Sequence, residues 1–100
     1  MWFLYILECS DNSYYTGITK NLEKRIATHN KGLGSKYTRS RLPCKFVSTC
    51  KVSDKKSDAL KIEYRFKQLS RSEKKNEIQK GIEIFVSKHL DLLSRVIFRS

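Results

Sequence analysis

One hundred residues with a formal net charge of +11 bound the chain to one small domain with a polyanionic partner, nucleic acid or an acidic surface. Hydrophobic residues at 39% and charged residues at 31% exclude a disordered chain. Cys9, Cys44 and Cys50 are odd in number and lack C-x-x-C spacing, which excludes a disulfide framework or a zinc knuckle and reads as small buried hydrophobes in a reducing cytoplasm.

The N-terminal apolar run lacks a basic flank and is interrupted by Glu8, so neither a signal peptide nor a membrane partner is expected. Trp2 to Cys9 is rich in aromatic and branched residues and reads as a central strand covered on both faces. Ser10-Asp11-Asn12-Ser13 is a turn cluster, and Tyr14 to Ile18 resumes strand character, giving a β-hairpin. Gly17 inside the second strand marks a bulge or a close backbone approach.

Thr19 or Asn21 can cap the next element, a helix with Leu22, Ile26 and Ala27 as its apolar stripe and Gly32 and Gly34 at its end. Arg25 and His29 sit four apart and share a face beside that stripe. Leu33 to Pro43 reads as a loop interleaving basic side chains, hydroxyls and an aromatic: Lys36, Tyr37, Thr38, Arg39 and Arg41 are the expected nucleic-acid contacts. The basic charge concentrates here, since Met1 to Thr19 holds no Lys or Arg, while Lys20, Lys24, Arg25, Lys31, Lys36, Arg39, Arg41 and Lys45 are opposed by Glu23 alone.

Lys45 to Val52 is the third expected strand, with Phe46, Ser48, Cys50 and Val52 on one face and Val47 and Thr49 on the other. The following helix begins near Ser53-Asp54 and buries Ala59, Ile62, Phe66 and Leu69, with Glu63 at the edge of the stripe. Glu63 can face a site or pair with Lys67 one turn on. Ser70-x-x-Glu73 is a capping box for a separate helix ending before Gly81. Beyond it, Ile82, Ile84 and Val86 alternate as in a strand, whereas Val86, Leu90, Leu93 and Ile97 have helical spacing; a helix from about Val86 is expected. Residues 1–80 are read as the main domain and 81–100 as a helical extension that packs on it or on a second copy, leaving a monomer or a weak homodimer.

Strand, strand, helix, strand, helix, helix implies an α+β fold, an α/β sandwich built on a small antiparallel sheet with helices on it. Tyr5-Ile6-Leu7, Tyr15-Thr16-Gly17-Ile18-Thr19, Arg25 with His29-Asn30, Lys36-Tyr37-Thr38-Arg39 and Leu69-Ser70-Arg71 occur in that order. Together they resemble the GIY-YIG nuclease domain, most of all its small stand-alone bacterial members; the first triplet is a degenerate form, with Leu4 before Tyr5. The resemblance implies a three-stranded antiparallel sheet flanked by helices and a catalytic set of Tyr5, Tyr15, Arg25, His29 and Glu63. Tyr5 and Tyr15 would correspond to the paired tyrosines, Arg25 to the phosphate-binding arginine and Glu63 to the ligand of Mg²⁺ or Mn²⁺.

Those residue types suit phosphodiester hydrolysis on chemical grounds. A guanidinium answers the negative charge that builds on phosphate oxygens, and one carboxylate suffices for a hydrated Mg²⁺. A tyrosine of ordinary pKa about 10 is a poor base at neutral pH, while His29 is already near the right range. The expected activity is metal-dependent cleavage of DNA, with structure-selective or low sequence specificity, in repair or recombination; DNA is favoured over RNA. The alternative is a non-catalytic nucleic-acid-binding module on the same scaffold.

Overall fold

Strand β1 (Trp2–Glu8) has apolar side chains at nearly every position, so both its faces need cover, and it takes the centre of the sheet. Strands β2 (Tyr14–Thr19) and β3 (Lys45–Ser53) pair with it antiparallel, in the order β2-β1-β3. The computed structural model describes residues 1–99, with side chains described through residue 93. The remaining elements are helices α1 (Leu22–Asn30), α2 (Lys36–Arg39), α3 (Lys56–Lys67), α4 (Arg71–Lys80) and α5 (Ile82–Arg99). The expected α+β class and antiparallel sheet are therefore the observed ones.

The period of two along β1 sends its side chains into two different layers. Leu4 and Ile6 face an aliphatic and aromatic core with Val52 of β3, Ala59, Ile62 and Phe66 of α3, and Ile82, Phe85 and Val86 of α5. Full burial of each of the larger side chains stabilises the fold by about 1.5–3 kcal/mol. Tyr5 and Leu7 face the other layer with Cys9, Cys44, Phe46 and the half-buried Leu22 and Ile26 of α1. Tyr15 packs against that second layer as well.

Local signals fix most boundaries. Between β1 and β2 the Asp11 carboxylate accepts from the Ser13 amide at 3.1 Å, and Asn12 takes the left-handed conformation at φ 64°, as a tight turn requires. Asn21 caps α1 by accepting from the Lys24 amide at 3.0 Å. The Ser70–Glu73 capping box starts α4, and Gly81, at φ 109°, ends it.

Four expectations need correction. Phe46 lies on the Tyr5 face, opposite Leu7, whereas Val47 packs into the aliphatic core; a register shift between Ile6 and Leu7 inserts an extra residue and flips the alternation there. The stretch expected to be all loop contains α2, a single turn capped by Ser35 and too short to show helical periodicity. Ala27 is exposed, so the stripe on α1 is narrower than expected. Helix α5 begins at Ile82 rather than near Val86: Ile82 and Val86 are 1% and 2% exposed and Ile84 is 57% exposed, the pattern of a helix turn and not of a strand. Ile97, the last position of the expected stripe, lies outside the described side chains.

Candidate active site

Tyr5 is carried on the central strand and is 2% exposed. Its neighbour in β2 is Gly17, and a Cβ at Gly17 would run into the Tyr5 ring and hydroxyl, so the glycine is what lets the tyrosine lie across the strand pair. This is the close approach expected there. Tyr15, two residues earlier on the same face, sets its ring centroid 6.3 Å from that of Tyr5.

Helix α1 closes over these rings. His29 is 1% exposed, and its Nε2 lies 3.1 Å from the Tyr5 hydroxyl. The imidazole sits 5.3 Å from the Tyr15 ring, centroid to centroid. Its other nitrogen, Nδ1, is 2.7 Å from the Thr38 hydroxyl of α2. Arg25, one turn earlier on α1, is exposed. Asn30, the next residue after His29, clamps the segment after α2: its side chain accepts from the Cys44 amide at 3.0 Å and donates to the Cys44 carbonyl at 3.1 Å.

Glu63 and Lys67 approach from α3, which packs against β2 and β1. The Glu63 carboxylate is 18% exposed and lies 3.8 Å from the Lys67 ammonium, which in turn stands 6.0 Å from the centre of the Tyr15 ring. Glu63 thus pairs with Lys67, and that pair stands beside the Tyr15 ring.

The electrostatics divide the groups sharply. Burial pushes the Tyr5 phenol far above its ordinary value of 10.0; Tyr15 and Glu63 add to the rise and Arg25 opposes it. Burial depresses His29, and the positive charge of Arg25 depresses it further. Burial raises Glu63, with Lys67 pulling the other way. At neutral pH the pair is therefore a protonated phenol against a neutral imidazole.

The expected nucleic-acid contacts separate into three kinds. Lys36 and Arg39 are exposed and have no ion pair among the described residues. Arg41 is committed internally: it binds Asp11 at 2.9 Å, donates to the Tyr37 carbonyl at 2.9 Å and lies 3.8 Å over the Tyr37 ring, whose centroid is 6.0 Å from that of Tyr15. Thr38 is fully buried and corrects the expectation of a direct phosphate contact, since its hydroxyl is turned inward to His29. Nothing in the local sequence, a threonine among cations, signalled that inward turn. Lys67 beside Glu63 and Tyr15 was foreseen only as a surface partner of Glu63.

The donor set fits a water-rich divalent cation. No group of three or more His, Cys, Asp or Glu side chains gathers among the described residues. Glu63 alone, half-buried and destabilised as an anion by that burial, suits Mg²⁺, which keeps most of its waters and takes one or two carboxylates plus phosphate oxygens. A groove of about 950 Å³ lies among α3, α4 and α5 with Leu60, Tyr64 and Ile84 on its walls, and none of the catalytic candidates lines it. No helix among the described residues is long and apolar enough to cross a membrane.

Comparison with known proteins agrees with this architecture. The model of the GIY-YIG catalytic domain matches residues 1–76. A UPF0213 protein of Bacillus cereus strain ZK / E33L is 49% identical over 86 residues, covering 86% of this chain and 88% of its own. One from Halobacterium salinarum is 50% identical over 74 residues, covering 74% of this chain and 95% of its own. The solution NMR structure of a UPF0213 protein from Bacillus halodurans is 42% identical and superposes with a TM-score of 0.51, covering 79% of this chain and 84% of that one. The chain belongs to the GIY-YIG catalytic-domain family, alongside the small UPF0213 proteins.

Proposed function

We propose that this chain is a divalent-metal-dependent endonuclease that hydrolyses phosphodiester bonds in DNA, selecting substrates by structure more than by sequence, in repair or recombination. The observation that carries the reading is the buried Tyr5–His29 contact of 3.1 Å with Arg25 one turn before His29. A protonated phenol cannot itself accept the proton of an attacking water. Its hydroxyl can take that proton only as it passes its own to a base, and the neutral Nε2 of His29 is within reach to receive it. The burial that makes Tyr5 a poor phenolate is thus compatible with Tyr5 as a relay.

Arg25, exposed beside this pair, offers a guanidinium to the nonbridging oxygens of the scissile phosphate, where charge grows in the transition state. Glu63 would hold Mg²⁺ or Mn²⁺, which supplies Lewis acidity to the phosphate when bound. Lys36 and Arg39 are exposed on α2, where they can follow a phosphate backbone, which favours backbone and shape recognition over base reading.

One observation favours the alternative of a non-catalytic nucleic-acid-binding module: the Lys67 ammonium stands 3.8 Å from Glu63, where a metal would have to displace it. The two readings part in one assay. Labelled single-stranded, duplex and branched DNA is incubated with Mg²⁺, Mn²⁺ or chelator and with wild type, Glu63→Ala or Arg25→Ala. The nuclease reading expects metal-dependent cutting that both substitutions abolish in folded protein. Salt-sensitive binding with no cutting would transfer the case to the binding module.

A further inference from the structure

Resting on the nuclease reading, a second question is what keeps the His29 imidazole in the form that can receive a proton at Nε2. The neutral ring has two tautomers, and the one it adopts is set by the partner at Nδ1. That partner is the Thr38 hydroxyl, at 2.7 Å. Thr38 is 0% exposed, so water does not compete for it. Its oxygen also lies 3.1 Å from the carbonyl and 3.2 Å from the hydroxyl of Ser35, the residue that caps α2.

A hydroxyl has one proton to give. The Ser35 carbonyl can only accept, and the Thr38 proton joins the Arg39 amide there, each 3.1 Å from that oxygen. Thr38 oxygen then accepts from Nδ1–H, Nε2 is left bare, and the Tyr5 hydroxyl donates to it. Every buried polar atom in the row Tyr5–His29–Thr38–Ser35 is paired in this arrangement. The opposite tautomer turns Nε2–H toward Tyr5, spends the Thr38 proton on Nδ1 and leaves the imidazole with no site for a second proton from the phenol.

We propose that Thr38 is a positioning residue that holds His29 as its Nδ1–H tautomer and so keeps Nε2 as the acceptor for the Tyr5 proton. The helix turn that carries it supports this contact: Ser35 caps α2 by accepting from the Thr38 amide at 3.2 Å, which fixes the backbone from which the hydroxyl reaches inward. Gly34 completes the seat, since a Cβ there would collide with His29 Nδ1.

The test is the ¹⁵N spectrum of the His29 imidazole in the metal-free protein at neutral pH, in wild type, Thr38→Val and Thr38→Ser. The expected result is a pyrrole-like Nδ1 and a pyridine-like Nε2 in wild type, the same pattern in Thr38→Ser, and loss of that pattern in Thr38→Val. A pyrrole-like Nε2 in wild type overturns the proposal whether or not any variant folds, and so does an unchanged pattern in folded Thr38→Val. Cleavage is read alongside: Thr38→Val should lose roughly tenfold or more, as expected when a histidine loses its orienting partner, with Thr38→Ser restoring most of it. If the tautomer is as stated but the wild type cuts nothing, the functional reading fails and the assignment of Thr38 stands.

Discussion

The two faces of one strand make the most instructive contrast in the molecule. Leu4 and Ile6 of β1 face a layer built from aliphatic and aromatic side chains, where Phe66 and Phe85 meet edge to face with centroids 5.4 Å apart. Tyr5 and Leu7, displaced by one residue, face a layer where a buried phenol, imidazole and threonine hydroxyl are linked in a row. The first layer obtains its stability from area removed from water. The second gives up part of that gain by burying polar groups, and keeps them paired because each unpaired one would cost about 1–3 kcal/mol. A chain of 100 residues has little margin, so each of these buried polar groups has to stay paired.

The contrast can be broken most sharply at Phe66. Phe66→Ala should destabilise the fold by about 3–5 kcal/mol in chemical denaturation, the usual cost of truncating a fully buried aromatic. Next comes the boundary between strands. Gly17→Ala forces the Tyr5 ring to move, which should cost about 1–3 kcal/mol in stability and lower cleavage more than any equally destabilising change on the aliphatic face.

A pair of threonines sharpens the point. Thr16, opposite Ile6, is 2% exposed and its hydroxyl has no partner among the described residues. Thr16→Val should therefore be neutral or stabilise by about 1 kcal/mol, whereas Thr38→Val, which orphans His29 Nδ1, should destabilise by about 1–2 kcal/mol. Thermal or denaturant midpoints of the two isosteric variants read this directly, and a loss of stability in both would erase the proposed difference between the faces.

The smallest effect is in pH. His29 has its pKa lowered by burial and by Arg25, so the unfolded chain binds the proton more readily than the folded one. Its contribution is fully present above the ordinary value of 6.5 and is lost as pH falls through the depressed folded value. Denaturation on either side of that range should show wild type losing stability on acidification and His29→Gln losing less. Glu63, raised by burial, acts in the opposite sense: its contribution is present below the ordinary 4.5 and lost as pH rises through the raised value.

Much of this was legible in the chain itself because periodicity and caps are local. The alternation of β1, the Asn21 cap, the Ser70–Glu73 box and the Ala59, Ile62, Phe66 stripe all announce their elements. Phe46 was misplaced because a bulge changes the phase of alternation and leaves no mark in the residues around it. The start of α5 was obscured because Ile82, Ile84 and Val86 fit a strand equally well until Gly81 turns the chain and burial selects the first and third. Tyr5, Tyr15 and His29 lie against one another in the folded chain. The inward turn of Thr38 leaves no local signal because it depends on His29, a packing partner that only the folded chain brings near.

On the proposed reading, the polar layer is a phosphodiester-cleaving site rather than a stable oddity of packing. The most direct measurement is the rate of Mg²⁺-dependent DNA cleavage by wild type and Tyr5→Phe, each checked for native folding. Removing one hydroxyl should change stability by about 1 kcal/mol and lower cleavage by on the order of 10²–10⁴-fold. Cleavage at the wild-type rate by folded Tyr5→Phe would contradict the account and return the tyrosine to the core.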